Sequence, residues 1–230
     1  MTTSREDISA RQSAYYGDLY ERHGDSVDAV ASASQTFKDL RYERLCRVFD
    51  QDRSFTIHDV GCGLGHFHEF LKHRHPDRLI EYSGSDVTPG FVDHCRQHYP
   101  DLSFELRDLS AAPFPERYDY LIYAGTFYHL AGSRESEFRD FLHCMLRNGF
   151  ACANRGIAFN LITSHVDYRL PDLFYAELSG LTDFIVRDLS RFFTIDHSSP
   201  LFEYTACIYK SGAIRKHHPQ NEFDKYFKDG

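Results

Sequence analysis

Three glycines and one acidic residue form the group whose residue types and spacing most clearly indicate chemistry. Asp59 is followed by Gly61, Gly63 and Gly65, after a short β-prone run and before a stretch of helical periodicity. Glycines let the backbone turn tightly and approach a ligand without interference from a Cβ atom. The first turn of the following helix offers unpaired N–H groups. The pattern therefore predicts a cofactor-binding loop, with Cys62 as a small residue within it.

The glycine spacing distinguishes between two classes of cofactor. A dinucleotide site requires G-x-G-x-x-G, which would place its third glycine where this chain has His66. The third glycine is Gly65 instead, which disfavours a nicotinamide cofactor. An acidic residue followed by G-x-G-x-G resembles the first motif of the class I S-adenosylmethionine-dependent methyltransferases. The resemblance implies S-adenosylmethionine as the methyl donor and S-adenosylhomocysteine as the product.

A second acidic residue stands where a ribose would need an acceptor. Asp86 follows the next β-prone run and comes 21 residues after Gly65. In nucleotide-binding α/β folds an acidic residue about 20 residues past the glycines binds the ribose hydroxyls. The spacing predicts that Asp86 accepts hydrogen bonds from both hydroxyls, and the alternative is an aspartate in a solvent-facing turn.

Two further segments match the same family in order along the chain. The resemblance implies that Asp108 accepts from the adenine amino group and that the Leu109 N–H meets a ring nitrogen, although Asp108 also suits a helix cap. It also implies that Ala124 and Gly125, after the fourth strand, lie beside the methionine part of the cofactor. The resemblance covers about residues 55–210.

Histidines and tyrosines after the fourth and fifth strands are the candidates for work on the methyl acceptor. Methyl transfer needs alignment, exclusion of water and, for some acceptors, removal of a proton. His129 is the first candidate for a general base and His165 the second, because imidazole titrates near neutral pH. Tyr128 and Tyr168 could hydrogen-bond an acceptor or line its pocket. Each of these side chains could equally be ordinary packing or surface.

The first 50 residues resemble the helical lid that many small-molecule methyltransferases place over the site. Tyr15, Tyr16 and His23 are predicted to reach the substrate from this lid, with plain packing as the alternative.

The 14 histidines do not predict a metal site. Residues that share a helix face are three or four apart, and His66 and His68 are two apart. His94 and His98 have the required spacing but lack a third ligand nearby in the sequence. We therefore expect no bound metal.

Composition limits the class of protein and its partners. The 230 residues suit one domain and carry a formal net charge of −8, with no run of Lys and Arg of the kind nucleic-acid binders present. The six cysteines form no C-x-x-C pair, which disfavours a zinc ribbon or a disulfide framework. No signal-peptide core and no apolar run of membrane-spanning length occurs. A cytoplasmic protein without nucleic-acid or membrane partners is expected, and its oligomeric state stays open.

Alternating strand and helix patterns predict the fold that positions these residues. Strands are expected at 55–60, 79–83, 103–106, 118–124, 156–163, 191–195 and 203–209. Helices are expected in two pieces within 5–50 and at 66–75, 89–99, 135–146 and 172–188. Turns are expected at Gly84 and at Asn148-Gly149, and Asp25 or Ser26 is expected to cap the second helix.

These patterns predict an α/β fold with a Rossmann-like seven-stranded, mostly parallel sheet. The last two strands form an antiparallel edge hairpin, and helices cover both faces. One domain is expected, made of a lid (1–50), a core (55–210) and a polar tail (211–230) that frays or forms a short helix.

The function predicted from this combination is methyl transfer to a small molecule by in-line displacement. Two alternatives stay open: a methyltransferase acting on protein or RNA, and a non-catalytic S-adenosylmethionine-binding module, because motifs report binding and not turnover.

Overall fold

A single mixed sheet organises the part of the chain that the computed structural model describes, residues 5–30 and 34–227. Its strands are β1 (Ser54–Val60), β2 (Leu79–Asp86), β3 (Ser103–Leu106), β4 (Tyr118–Tyr123), β5 (Ala153–Thr163), β6 (Tyr175–Ala176), β7 (Phe193–Asp196) and β8 (Glu203–Tyr209). The strand order is β3-β2-β1-β4-β5-β8-β7, and β6 pairs with β5. The strands from β3 to β5 run parallel, whereas β8 is antiparallel to both β5 and β7. The predicted α/β class with a mostly parallel sheet and an antiparallel edge is confirmed.

Helices cover both faces of this sheet. They are α1 (Arg5–His23), α2 (Gln35–Leu45), α3 (His66–Arg74), α4 (Pro89–His98), α5 (Glu135–Cys152), α6 (Leu178–Phe184) and α7 (Ser211–His217). Short 3-10 helices at Val27–Val30, Cys46–Phe49 and Asn221–Tyr226 join or follow them, and a π-helical turn, Ile185–Leu189, extends α6. None of the described helices is both long and apolar enough to cross a lipid bilayer.

The alternation of side chains along β4 explains the two-sided core. Successive residues of a strand point to opposite faces. Leu121 and Tyr123 join a buried cluster that includes α5 and α6, whereas Tyr120 and Ile122 join a second cluster that includes α2, α3 and α4. This double coverage leaves the carboxyl ends of the parallel strands as the edge where a ligand can enter.

Two predicted turns are wrong because glycines also serve close packing. Gly84 lies inside β2, paired with Phe104 of β3, and a Cβ there would stand 2.8 Å from the Cβ of Cys62. Gly149 lies inside α5, which continues to Cys152 and passes directly into β5. A Cβ on Gly149 would be 1.8 Å from the hydroxyl of Tyr123. Both glycines let another element approach, and neither ends an element.

Two other expectations also need correction. The helix predicted over 172–188 is shorter, since residues 175–176 form β6, an eighth strand, and α6 begins only at Leu178. The second long helix is not capped by Asp25 or Ser26. It begins at Gln35, and the side chain of its cap, Ser34, accepts a hydrogen bond from the Phe37 N–H at 3.2 Å. The chain between the two helices forms the Val27–Val30 turn instead.

Helix α1 lies across the carboxyl edge of the sheet. The ring centroids of Tyr16 and Tyr20 lie 6.3 Å and 5.5 Å from that of Phe91 in α4. Gln12, on the same helix, donates a hydrogen bond to the carbonyl of His129 in the loop after β4. These contacts hold α1 over the sheet edge where the predicted site residues meet.

Candidate functional site

The glycine loop after β1 has the backbone conformation that its sequence predicts. Gly61, Gly63 and Gly65 have φ values of 77°, 53° and 78°, in the left-handed region that favours glycine. A Cβ on Gly65 would stand 2.6 Å from the ring of Tyr99, so this position excludes larger residues for packing as well. The loop presents backbone at Gly61 and Gly63 to the open edge of the sheet.

A pocket of about 730 Å3 opens between this loop and helix α1. We call it the main pocket. Seven residues predicted to contact the cofactor line it: Gly61, Gly63, Asp86, Asp108, Leu109, Ala124 and Gly125. Residues from four separate stretches of sequence thus meet around one cavity, in the arrangement expected at the carboxyl edge of an open α/β sheet.

Asp86 is held firmly at the end of β2. Its carboxylate accepts hydrogen bonds from the Gly63 N–H at 3.0 Å and from the Thr88 N–H at 2.8 Å. Burial raises the pKa of Asp86, and the hydrogen bonds from backbone N–H groups oppose that rise. Each carboxylate oxygen has a second acceptor site, so the group can also accept from a ligand hydroxyl in the pocket.

Asp108 and Leu109 form the wall of the main pocket after β3. One oxygen of Asp108 accepts from the Ser110 N–H at 2.8 Å, which fixes the turn. The carbonyl of Leu109 accepts from the side-chain amide of Asn148 at 2.7 Å. The turn leaves the second carboxylate oxygen of Asp108 without a partner among the hydrogen bonds of the described residues, so it can accept from a ligand.

Asp59 lies behind the loop and does not line the main pocket. Its side chain is buried, and one oxygen accepts from the Tyr82 hydroxyl at 2.6 Å. The other oxygen has no hydrogen-bond partner in the described part of the chain. Burial raises the pKa of Asp59 to about 7, with the Tyr82 hydrogen bond opposing and the nearby Asp86 adding to the rise. The acidic residue of the motif therefore lies outside the main pocket and binds the hydroxyl of Tyr82 in β2.

A smaller side pocket, of about 510 Å3, adjoins the main one. The two share a wall of five residues: Val30, Gly61, Gly63, Ala124 and Gly125. The rest of the side pocket includes Cys62 and Tyr128, which were predicted, and Lys38 and His66, which were not assigned to a site. Gly65 lines neither pocket and packs against Tyr99.

Lys38 brings a buried cation to the side pocket. Its side chain is only 4% exposed, and its ammonium lies 2.5 Å from Nδ1 of His66 at the start of α3. Burial lowers the pKa of Lys38 to about 8, and burial together with Lys38 lowers the pKa of His66 to about 4. A buried charge is normally compensated by an opposite charge. No ion pair with Lys38 occurs in the described residues, and a bound anion could supply one.

Tyr128 belongs to a buried polar network beneath the side pocket. Its hydroxyl donates to Glu203 at 2.7 Å and accepts from the side-chain amide of Asn160. Arg41 forms a bidentate pair with the same Glu203, at 2.5–3.0 Å, and its guanidinium lies 5.2 Å from the Tyr128 ring centroid. Burial, followed by the charge of Glu203, raises the pKa of Tyr128. A phenol whose proton is held this way positions its neighbours and does not serve as a base.

The same network orients the loop after β4. The amide oxygen of Asn160 accepts from the Gly125 N–H at 3.0 Å, and the Thr126 hydroxyl donates to the Val60 carbonyl at 2.9 Å. Gly125 has a φ of 77°. These bonds hold the backbone of Ala124 and Gly125 against both pockets.

His129 lies behind the lid tyrosines. Its Nδ1 is 3.8 Å from a carboxylate oxygen of Asp172, and its ring centroid is 4.9 Å from that of Tyr15 and 6.1 Å from that of Tyr16. Burial lowers the pKa of His129, and Asp172 opposes that shift. His129 does not line the main pocket, whereas Tyr16 does.

The other predicted acceptor-binding residues are not gathered at the main or side pocket. His165 and His23 are exposed. Tyr168 is 73% exposed, and Tyr15 contacts Tyr16 and His129 without lining the main pocket. Helix α1 thus brings Tyr16 to the pocket directly and Tyr15 to its surroundings.

The main pocket also contains residues that the motifs did not identify. They are Ser9, Gln12, Val30, Val60, Val87, Phe91, Arg107, Thr126, Phe141 and Met145. Val87 and Thr126 directly follow predicted site residues, and Gln12 is four residues before Tyr16 on one helix face. The sequence could therefore have identified these three residues. Phe91 and Met145 look like ordinary core residues in sequence and are found only through the tertiary structure.

Comparisons with known proteins find methyltransferases. Residues 57–149 match the family model described as "Methyltransferase domain". A Mycobacterium tuberculosis protein that is named as a methyltransferase, without a stated acceptor, is 29% identical over 171 residues, which is 72% of this chain and 99% of that protein. These matches confirm the predicted similarity to methyltransferases and the prediction of an enzyme.

Solved structures share the fold. The N1-methyltransferase of 1,6-didemethyltoxoflavin from Burkholderia thailandensis gives a TM-score of 0.63 at 14% identity, covering 90% of each chain. The magnesium protoporphyrin IX methyltransferase from Synechocystis PCC 6803 gives 0.59 at 15% identity, covering 89% of this chain and 96% of that one. The first contains bound S-adenosylhomocysteine and the second bound S-adenosylmethionine. At these identities the likeness shows the fold.

Proposed function

We propose that this chain, a methyltransferase of the class I S-adenosylmethionine-dependent type, transfers the methyl group of S-adenosylmethionine to a small-molecule acceptor that enters beneath helix α1. The single observation that carries the proposal is the main pocket. There the glycine loop, Asp86, Asp108 and Gly125 converge, although they come from four different strand ends. Two further observations support a small-molecule acceptor. The net negative charge of the chain disfavours a nucleic-acid acceptor. Structural relatives are named for small-molecule acceptors.

The cofactor's adenosine half fits the main pocket by its chemistry. Asp86 offers carboxylate oxygens to the two ribose hydroxyls, and charge-assisted hydrogen bonds of this kind are strong. The free oxygen of Asp108 and the N–H of Leu109 offer an acceptor and a donor to the adenine edge. Phe91 and Met145 provide apolar surface for the ring.

The methionine half would extend along Gly61, Ala124 and Gly125 toward the side pocket. Its carboxylate would then meet the Lys38 ammonium, which is buried there and, among the described residues, has His66 as its hydrogen-bond partner. A carboxylate would compensate the buried charge of Lys38 and restore its pKa toward the ordinary lysine value. We propose Lys38 as the residue that binds this carboxylate.

The enzyme's main tasks in the reaction are alignment and exclusion of water. S-Adenosylmethionine, when bound, would supply the methyl group: the acceptor's lone pair would form a bond to the methyl carbon while the C–S bond breaks and its electron pair goes to sulfur, which leaves as a neutral thioether. The leaving group needs no acid. Holding the reacting atoms in line can lower the activation free energy by about 7–11 kcal/mol. Tyr16 and Gln12 of α1 close the pocket above them.

His129 is proposed as the general base where the acceptor carries a proton. Its lowered pKa keeps the imidazole neutral at pH 7, and the neutral form is the one that can accept a proton. Asp172, 3.8 Å from Nδ1, would stabilise the imidazolium that forms. The acceptor would have to pass Tyr16 to reach His129, because the ring lies outside the main pocket.

The first test of the proposal is calorimetric titration of the purified chain with S-adenosylhomocysteine, with NAD as the control. We expect micromolar binding of S-adenosylhomocysteine and none of NAD. Incubation with methyl-labelled S-adenosylmethionine and a panel of amines, hydroxyls, carboxylates and carbon nucleophiles then identifies the acceptor. Binding of NAD, or failure of S-adenosylhomocysteine to bind with and without the panel, would refute the cofactor assignment.

His129→Ala should lower kcat by about 100-fold or more, since general-base catalysis contributes about 10²–10⁴. Affinity for S-adenosylhomocysteine should stay within about twofold, because the ring is not in the main pocket. In the wild-type chain, kcat should fall only at a pH below the ordinary titration range of histidine, because burial lowers the pKa of His129 and the base becomes protonated there. Asp172→Asn should move that limb to lower pH, because Asp172 raises the pKa of His129.

His165→Ala is the informative comparison for this prediction. The side chain is exposed and lines neither pocket, so we expect nearly full turnover in that variant. If His165→Ala loses activity and His129→Ala retains it, the base lies on the loop after β5 and the assignment to His129 is wrong.

A further inference from the structure

The turn after helix α1 meets helix α4 at a group of three metal-ligating side chains. Asp25, His94 and His98 each direct one ligand atom into a common space, and these atoms lie within 4.8 Å of one another. His94 and His98 are four residues apart on α4, the spacing that puts two side chains on one helix face. The tertiary structure brings Asp25 to them from a distant part of the sequence.

The contacts around the two imidazoles resemble those that prepare histidines for coordination. Nδ1 of His98 lies 2.9 Å from the carbonyl of His94, so it donates there and leaves Nε2 free. A metal-ligating histidine commonly donates its other ring N–H to a backbone carbonyl, which fixes the tautomer. Nδ1 of His94 lies 3.1 Å from Oδ1 of Asp25 and 3.3 Å from the Tyr20 hydroxyl.

The two imidazoles also lie next to each other. The His94 and His98 rings stack with centroids 3.9 Å apart. Imidazole nitrogens and carboxylate oxygens are ligands that bind Zn²⁺ in proteins, and three such ligands plus water complete a tetrahedral site.

Coordination of one ion requires the exposed ligands to move. Tetrahedral ligands at about 2.0–2.1 Å from Zn²⁺ lie about 3.3 Å apart. His94 and Asp25 are already that close, whereas the exposed His98 ring would have to turn out of its stack on His94 to direct Nε2 at the same ion. His94 is buried and would form the fixed part of the site.

We propose that Asp25, His94 and His98 form a site for a divalent transition-metal ion such as Zn²⁺, which fastens the end of the lid helix to α4. Tyr16 and Tyr20 precede Asp25 on the lid and pack on Phe91 of α4, so the ion would add a coordinate link to this aromatic contact. This inference concerns the lid and does not depend on the identity of the methyl donor or acceptor.

Calorimetric titration of the metal-free chain with Zn²⁺ alone tests the site. We expect one equivalent to bind with micromolar affinity, and at least tenfold weaker binding in His98→Gln and in Asp25→Asn. Both side chains are exposed, so neither substitution should unfold the protein. His73→Gln, which removes an exposed histidine from α3, is the matched control and should bind Zn²⁺ like the wild type.

Two further readouts separate this site from adventitious binding by the other histidines and cysteines. Co²⁺ in the wild-type chain should give the visible absorption bands of a tetrahedral ion, and these should be lost in His98→Gln. Zn²⁺ should slow amide hydrogen exchange over residues 17–26 in the wild type and not in His98→Gln. Equal Zn²⁺ binding by all variants, or no binding, would overturn the site, and unchanged exchange would overturn its role in fastening the lid.

Discussion

Asp86→Ala is expected to weaken binding of S-adenosylhomocysteine by about 1–3 kcal/mol, a factor of about 5–150. The substitution removes charge-assisted hydrogen bonds to the ribose hydroxyls and unpairs the N–H groups of Gly63 and Thr88. The loss should be of similar size for 5′-methylthioadenosine, because both ligands carry the ribose. Isothermal calorimetry with the two ligands measures both effects.

The controls for this prediction separate ribose binding from support of the loop. Asp86→Asn keeps the size of the side chain and one acceptor oxygen, so it should fall between the wild type and Asp86→Ala. Asp101→Ala changes an exposed aspartate in a turn at the opposite end of the neighbouring strand and should leave affinity unchanged. Unaltered affinity in Asp86→Ala, with the protein folded by circular dichroism, would show that the ribose does not bind at Asp86.

The part of the site that could be predicted from sequence is the part made by backbone geometry. The loop contains three glycines with positive φ, and an aspartate follows about 20 residues later. This spacing can be recognised in the sequence without knowing how the side chains pack. Gly61, Gly63 and Asp86 accordingly line the main pocket. Asp59 belongs to the same pattern, but it does not line the main pocket and binds the Tyr82 hydroxyl instead. The motif identifies the residues near the site, but it does not show which of them line the pocket and which lie behind the loop.

The sequence could not give those residues that tertiary contacts alone bring to the site. Lys38 reads as part of an ordinary amphipathic helix, and only the docking of α2 beside α3 buries it against His66. Asp25 and the α4 histidines are about 70 residues apart in sequence. The absence of a third ligand near His94 in sequence gave the expectation of no metal, and the proposal of a metal site depends on Asp25, which the turn after α1 brings beside these histidines.

Errors in the predicted elements have a related cause. Gly84 and Gly149 were assigned to turns because glycine is common there. In the structure, each lacks a side chain so that another group can approach: Cys62 at Gly84 and Tyr123 at Gly149. A sequence pattern cannot distinguish conformational freedom from close approach, because both require the same residue.

Lys38→Met is expected to weaken the binding of S-adenosylhomocysteine by about 10–100-fold and to leave the affinity for 5′-methylthioadenosine within about twofold of the wild-type value. The first ligand carries the amino-acid carboxylate and the second does not. A hydrogen bond to a charged group is worth about 1.5–3 kcal/mol, which sets the size of the effect. Methionine preserves the length and apolar stem of lysine, so the substitution removes the charge with little change in packing. Lys72→Met, on the exposed face of α3, is the matched control.

The pH dependence of binding gives an independent signature of the same contact. The pKa of Lys38 is lowered to about 8 in the free protein, so the ammonium is present at pH 7 and is progressively lost above pH 8. Affinity for S-adenosylhomocysteine should therefore decline in the wild type as pH rises from 7 to 9. The amino group of the ligand titrates in both proteins, and subtracting the profile of Lys38→Met isolates the contribution of the lysine.

The comparison of two ligands and two variants decides what Lys38 does. If the affinities for both ligands fall equally in Lys38→Met, the side chain supports the glycine loop through His66 and does not bind the carboxylate. If the affinity for neither ligand falls in Lys38→Met while turnover falls, the charge of Lys38 faces the acceptor. Acceptors with an anionic group would then be the first to examine. Loss confined to S-adenosylhomocysteine places the methionine end of the cofactor in the side pocket. The sulfonium methyl would then lie along Ala124 and Gly125, below Tyr16, and the acceptor would have to approach from the side of helix α1.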